Sequence, residues 1–286
     1  MKQNIDARRK FIKYSITSLI GMSAGTSLYA KRLSDVLPDQ ATLVESLSAK
    51  YPSTDDEQVA RIVGASHGDF DTVKKMVSAS PELARATWDW GYGDWESALG
   101  AASHVGRKDI ADFLIDHGAR PNIFTFVMMG ALQAVRAMVE AVPGIQRIPG
   151  PHGITLLQHA KNRLRAKNLS PSEITALQEV EAYLKSLGDA DIGTTSLPVD
   201  ENEKTIYVGR YKLETEETFF EISLNSGGLL QIKRDALFGR ILHKTDEHVF
   251  SPAGAPSVKI SFAIENEKAV SLTIHQPTPV FTATRI

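Results

Sequence analysis

The chain has 286 residues and no cysteine, which excludes disulfides, thiolate metal ligands and cysteine nucleophiles. Neither sign of charge dominates: 32 basic residues face 34 acidic ones, for a formal net charge of −2. Such a balance gives no electrostatic reason to bind nucleic acid or anionic lipid. Long hydrophobic runs are missing as well. Residues 14–30, YSITSLIGMSAGTSLYA, are too few and too rich in Ser, Thr and Gly for a membrane span. Several catalytic signatures are also absent, among them S-x-x-K, H-E-x-x-H, the phosphate-binding G-x-x-x-x-G-K and the dinucleotide G-x-G-x-x-G. A G-x-S-x-G pattern occurs at Gly21-Met22-Ser23-Ala24-Gly25, but inside that small-residue stretch it has no strand–turn–helix context and reads as coincidence.

What is present begins with an address. Arg8-Arg9-Lys10-Phe11-Ile12-Lys13 looks like a twin-arginine export motif, and the weakly apolar stretch behind it completes a signal peptide over residues 1–30, cleaved near Ala30. The expected location is periplasmic or secreted; the alternative is an uncleaved N-terminal membrane anchor. Without residues 1–30 the count becomes 27 basic against 33 acidic, a mildly acidic chain. No stable membrane insertion is expected after signal removal.

Residues 97–122, SALGAASHVGRKDIADFLIDHGARPN, combine a first helix of small residues, a turn at Gly106 and a second helix with apolar Ile110, Phe113, Leu114 and Ile115. This pattern resembles an ankyrin repeat. Counting from Gly106, positions +5, +8 and +9 hold Ala111, Leu114 and Ile115; from Gly68 they hold Val73, Met76 and Val77; from Gly130, Val135, Met138 and Val139. Apolar residues at i, i+3 and i+4 make one helical stripe, and superposable stripes make a continuous core when units stack. A fourth unit starts at Gly153-Ile154-Thr155-Leu156-Leu157, with its second helix expected at 180–187 after a polar insertion over 161–171. The resemblance implies a solenoid of about four repeats over residues 54–188, preceded by a capping helix within 31–53 that covers its first apolar face.

Residues 189–204 read as an acidic linker. Beyond it the hydrophobic period changes from 3.6 to 2: Phe220, Ile222 and Leu224; Val258, Ile260, Phe262 and Ile264; Val270, Leu272 and Ile274. Seven or eight such segments, separated by turns at Asn225-Ser226-Gly227-Gly228, Pro252-Ala253-Gly254 and Asn266-Glu267-Lys268, predict an antiparallel meander closing into a small barrel over 205–286. Tyr207-Val208-Gly209-Arg210-Tyr211-Lys212-Leu213 resembles the opening of the lipocalin-like accessory domain of penicillin-recognising serine peptidases, which brings no catalytic residues with it. The expected class is therefore multidomain α+β: a short ankyrin-repeat helical solenoid followed by an antiparallel β-barrel-like domain.

All three tryptophans fall within eight residues, Trp88-Asp89-Trp90-Gly91-Tyr92-Gly93-Asp94-Trp95, in a connection that ankyrin architecture uses as a finger on its binding face. Large rings with low conformational entropy suit a partner contact; the bland alternative is a self-packed loop, with Asp89 and Asp94 as turn residues. His152, in the rigid Pro149-Gly150-Pro151-His152-Gly153 connection, lies on the same side. The partner-binding candidates are thus Trp88, Asp89, Trp90, Tyr92, Asp94, Trp95 and His152, and the expected partner is a protein. No catalytic, cofactor or metal site is expected. His67 adjoins a turn, and His104 and His117 occupy positions where ankyrin repeats often use histidine to hydrogen-bond loop backbone. His243 and His248 bracket a hairpin tip, on opposite faces of a strand. The leading functional expectation is a noncatalytic periplasmic interaction scaffold. The alternatives are a carrier of a small apolar ligand inside the barrel and, ranked last, an enzyme or an accessory regulator of a secreted enzyme, with Asp89, Asp94 and His152 between the domains.

Overall fold

Several helix starts carry their own side-chain caps. In the computed structural model, which describes residues 53–213, 216–234, 239–276 and 279–286, Asp69, Ser97, Asn122 and Thr155 accept backbone N–H bonds at the starts of α2 (Phe70–Ala79), α3 (Ala98–His104), α5 (Ile123–Met128) and α7 (Leu156–Leu164). The other helices of the N-terminal half are α1 (Asp56–Ala65), α4 (Lys108–Asp116), α6 (Leu132–Ala141) and α8 (Pro171–Leu187). The expected signal peptide and export motif, the Gly21–Gly25 pattern and the expected capping helix lie outside the described residues. No helix among those described is long and apolar enough to cross a membrane.

Consecutive helices pair as α1/α2, α3/α4, α5/α6 and α7/α8, and the first helices α1, α3, α5 and α7 touch in succession. The shared stripe is the seam. Val73, Val77, Ala111, Leu114 and Val135 are buried, while Met76, Ile115, Met138 and Val139 pack at the edges of the two apolar clusters. Each fully buried Val or Leu contributes about 1.5–3 kcal/mol over an exposed one, so the matched offsets account for why the pairs stack. Gly106 is constrained twice: its φ is +77°, and a Cβ there would lie 2.9 Å from the Arg163 Cα of the fourth pair.

The fourth pair departs from the sequence expectation. Its second helix begins at Pro171, well before residue 180, because Ser170 and Glu173 form a reciprocal capping box with Pro at the first turn. The supposed insertion is thus split between the last turns of α7 and a short loop. The linker also holds more order than expected: Leu197 bridges to Lys244, and Asp200 caps a helix α9 (Glu201–Tyr207). Tyr207 therefore ends a helix, and the first barrel strand starts at Gly209.

Eight strands, β3 (Gly209–Leu213), β4 (Phe219–Leu224), β5 (Leu230–Arg234), β6 (Arg240–Asp246), β7 (Val249–Pro252), β8 (Lys259–Glu265), β9 (Lys268–His275) and β10 (Pro279–Arg285), close into an antiparallel barrel when β10 pairs with β3. Asn225 organises one expected turn through its side chain, and Asn266 and Glu267, both at positive φ, form a two-residue hairpin between β8 and β9. A bulge at Ala263/Ile264 shifts the β8–β9 register, so Ala269 is buried and Val270 is not. The interior is filled by side chains: the rings of Tyr207, Phe250 and Phe262 meet at 4.9–5.7 Å, with Tyr211, Phe220, Ile222, Leu272 and Ile274 around them. Residues from Asp56 to Ile286 form one compact unit.

Candidate functional site

The tryptophan-rich connection is a β-hairpin. β1 (Thr87–Asp89) pairs with β2 (Trp95–Ser97), placing Trp88 opposite Glu96 and Asp89 opposite Trp95. Asp89 accepts the Gly91 N–H at 2.8 Å, and Gly91, Tyr92 and Gly93 all have positive φ, the local reason the chain reverses here.

Most of the expected partner-binding residues turn inward. Trp88 and Trp90 pack against the apolar cluster of the first helix pairs, and Tyr92 packs against the barrel core, where burial raises its hydroxyl pKa to about 12. Asp94 is 3% exposed and accepts from both the backbone N–H and Nδ1 of His152 (2.9 and 2.7 Å), while Arg240 of β6 approaches at 3.0 Å. A Cβ on Gly254, at φ +80°, would stand 2.7 Å from the Asp94 carboxylate, so the β7–β8 turn can close over Asp94 only with glycine there. Asp94 thereby ties the helix stack to the barrel. Trp95 differs: it is 61% exposed, at the rim of an open cleft of 390 Å³ whose walls include Phe124, Pro149, Pro151 and His159.

Behind this hairpin lies a polar centre that the sequence did not announce. Glu96, fully buried, is approached by His67 Nε2 and His152 Nε2, each 3.4 Å from Oε2, and by His104 Nδ1, 2.9 Å from Oε1. Trp90 Nε1 donates to Oε2 at 2.7 Å. Burial opposes the charge on Glu96, yet the close contacts of His104 and His152 outweigh it and bring its pKa down to about 2. At His152 burial again opposes charge, and Asp94 and Glu96 together raise its pKa to about 9. For Asp94 the His152 hydrogen bonds and Arg240 outweigh burial and lower the pKa. His67 is moved the other way, downwards, mainly by burial. His159, next to His104, is lowered to about 4, also by burial.

The expected role of His104 needs correction: it faces the Glu96 carboxylate, not loop backbone. His67 uses Nδ1 on the carbonyls of Val63 and Gly64 in its own helix turn, as His117 does on Phe113. His243 and His248 do flank a hairpin, and His248 reaches the Tyr207 hydroxyl. The donors of the polar centre come from the turn between α1 and α2, from β2, from the end of α3 and from the turn before α7. The residues missed were Glu96 and its grouping with His67, His104 and His152; the Asp94-x-Glu96 pair followed by His104 was the local trace of it. Such a group can store buried charge, shift protons or hold a cation. No protein-family model matches the chain, and no curated protein or solved structure matches it, so its functional reading rests on this geometry and on the sequence.

Proposed function

We propose that the protein is a noncatalytic interaction scaffold of the ankyrin-repeat type, exported through the twin-arginine route to the periplasm, with a lipocalin-like barrel fixed to the side of the stack. The observation that carries this reading is Trp95: a large ring, 61% exposed, beside a cleft walled by Phe124, Pro149 and Pro151 on the loop side of stacked helix pairs. An exposed indole beside a concavity that mixes apolar walls with polar Ser97 and Asn122 is the kind of anchor that dominates protein interfaces. Stacked helix pairs sharing one apolar register support the ankyrin assignment, and the Arg8-Arg9 motif supports the export route. The filled barrel interior disfavours a small-ligand carrier.

Site-specific photo-crosslinking tests it. A photoreactive residue at position 95, incubated with periplasmic extract of the source organism, should give a discrete protein adduct. The same residue at Leu224, exposed on the barrel, should not. No adduct at 95, or an equal pattern from both positions, overturns the scaffold reading.

A further inference from the structure

We infer that His67, Glu96, His104 and His152 form a binding site for one divalent first-row transition metal of the zinc class. One ligand atom from each residue lies within 4.8 Å of the other three. The separations suit the ion: metal–ligand bonds of about 2.0–2.1 Å in a tetrahedron put the donors roughly 3.3 Å apart, and His67 Nε2 and His152 Nε2 each stand 3.4 Å from Glu96 Oε2.

The surroundings orient these donors. Nδ1 of His67 points to the Val63 and Gly64 carbonyls, and Nδ1 of His152 to the Asp94 carboxylate, which leaves each Nε2 facing the centre. Trp90 Nε1 donates to Glu96 Oε2 and so holds the carboxylate in place. Histidine–carboxylate and histidine–carbonyl pairs of this kind are the usual outer support of metal-binding imidazoles.

A second, independent observation concerns atoms left over. Glu96 Oε1 and His104 Nδ1 are buried and 2.9 Å apart, yet neither has a hydrogen bond of acceptable alignment. Buried polar atoms that lack a well-aligned hydrogen bond are rare, and a cation shared between these two, which now face only each other, would serve both. Three imidazoles and one carboxylate favour zinc, nickel, cobalt or copper; calcium and magnesium prefer all-oxygen sets. The half-exposed rims of His67 and His152 offer a way in, with side-chain exposures of 27% and 30%. Since the ligands come from segments 85 positions apart, the ion would join the first, second and fourth helix pairs at one point. Binding would then add to folding stability.

The test uses the purified full chain, stripped with a chelator and titrated with ZnCl2 by calorimetry and with Co2+ by visible absorption. The expected result is one equivalent per chain, intense Co2+ bands of a four-coordinate ion, and a higher melting temperature with Zn2+. His67→Gln and Glu96→Gln should weaken binding by roughly 100-fold or more, and Trp90→Phe, which removes an outer partner, by about 10–100-fold. His117→Gln should bind as the parent does. Should a variant lose its near-UV circular dichroism, histidine NMR of the unaltered protein decides instead: of eight ring systems, Zn2+ should shift chiefly those of His67, His104 and His152. Failure of the unaltered protein to take up Zn2+ or Co2+ saturably overturns the inference. So does one equivalent retained by folded His67→Gln and Glu96→Gln, or ring shifts confined to other histidines. None of these outcomes bears on crosslinking at position 95.

Discussion

The barrel and the helix stack solve the same problem, how to fill an interior, with opposite materials. The barrel closes around Tyr207, Phe250 and Phe262, rings that need only one another and a few hydroxyl partners. The stack has apolar seams too, but it sets a carboxylate and three imidazoles beside them, with Glu96 completely shielded from water. A buried charge costs several kcal/mol unless it is matched. Packing alone explains the barrel; the stack keeps a feature that packing alone would discard.

Cutting the barrel core should have the largest effect on stability. Phe262→Ala should cost about 3–5 kcal/mol through the cavity it leaves, read as a lower urea midpoint at constant slope, and should leave affinity for Zn2+ untouched. If metal uptake fell with it in a folded variant, the two regions would not be separable. On the other side of the comparison, Asp94→Asn keeps the volume but weakens charged contacts to His152 and Arg240. A loss of about 1.5–3 kcal/mol is expected, and a neutral result in urea would mean that the charge there does not hold the structure. Gly254→Ala probes the join between the regions: positive φ and the approach to Asp94 should cost about 1–3 kcal/mol, visible as a lower melting temperature. The smallest stability effect belongs to Trp95→Ala, within about 0.5 kcal/mol, although this change should abolish partner capture. A large destabilisation would show that Trp95 serves the fold.

How much of this could be seen in the chain differs between the regions for a physical reason. The repeat register and the barrel alternation are local, carried by periods of 3.6 and 2, so the interior positions of Val73, Ala111, Val135, Phe220 and Ile260 are legible in the sequence. The bulge at Ala263/Ile264 escaped because one unpaired residue changes parity without changing composition. The start of α8 was written in Ser170, Pro171 and Glu173 but was masked by the polar run before it. The polar centre was out of reach: His67, Glu96 and His152 meet only because three helix pairs stack in register, and no spacing within one pair encodes that. His67 and His104 also sit where a bland structural role suffices. The inward turn of Trp90 and Tyr92 was hidden for a related reason: aromatic residues suit a partner's surface and the molecule's own equally well.

The contact between Asp94 and the β7–β8 turn bears on modularity. A chain of stacked pairs followed by a barrel invites treatment as two separable cassettes, each free to be transplanted. Yet Tyr92 packs into the barrel's core cluster, and Asp94 receives an arginine from β6 and a glycine turn from the β7–β8 connection. Neither half is complete at its own boundary. Inheritance would then favour the pair moving together, and a barrel moved to another host would have to bring a substitute for a hairpin that lies more than a hundred residues upstream.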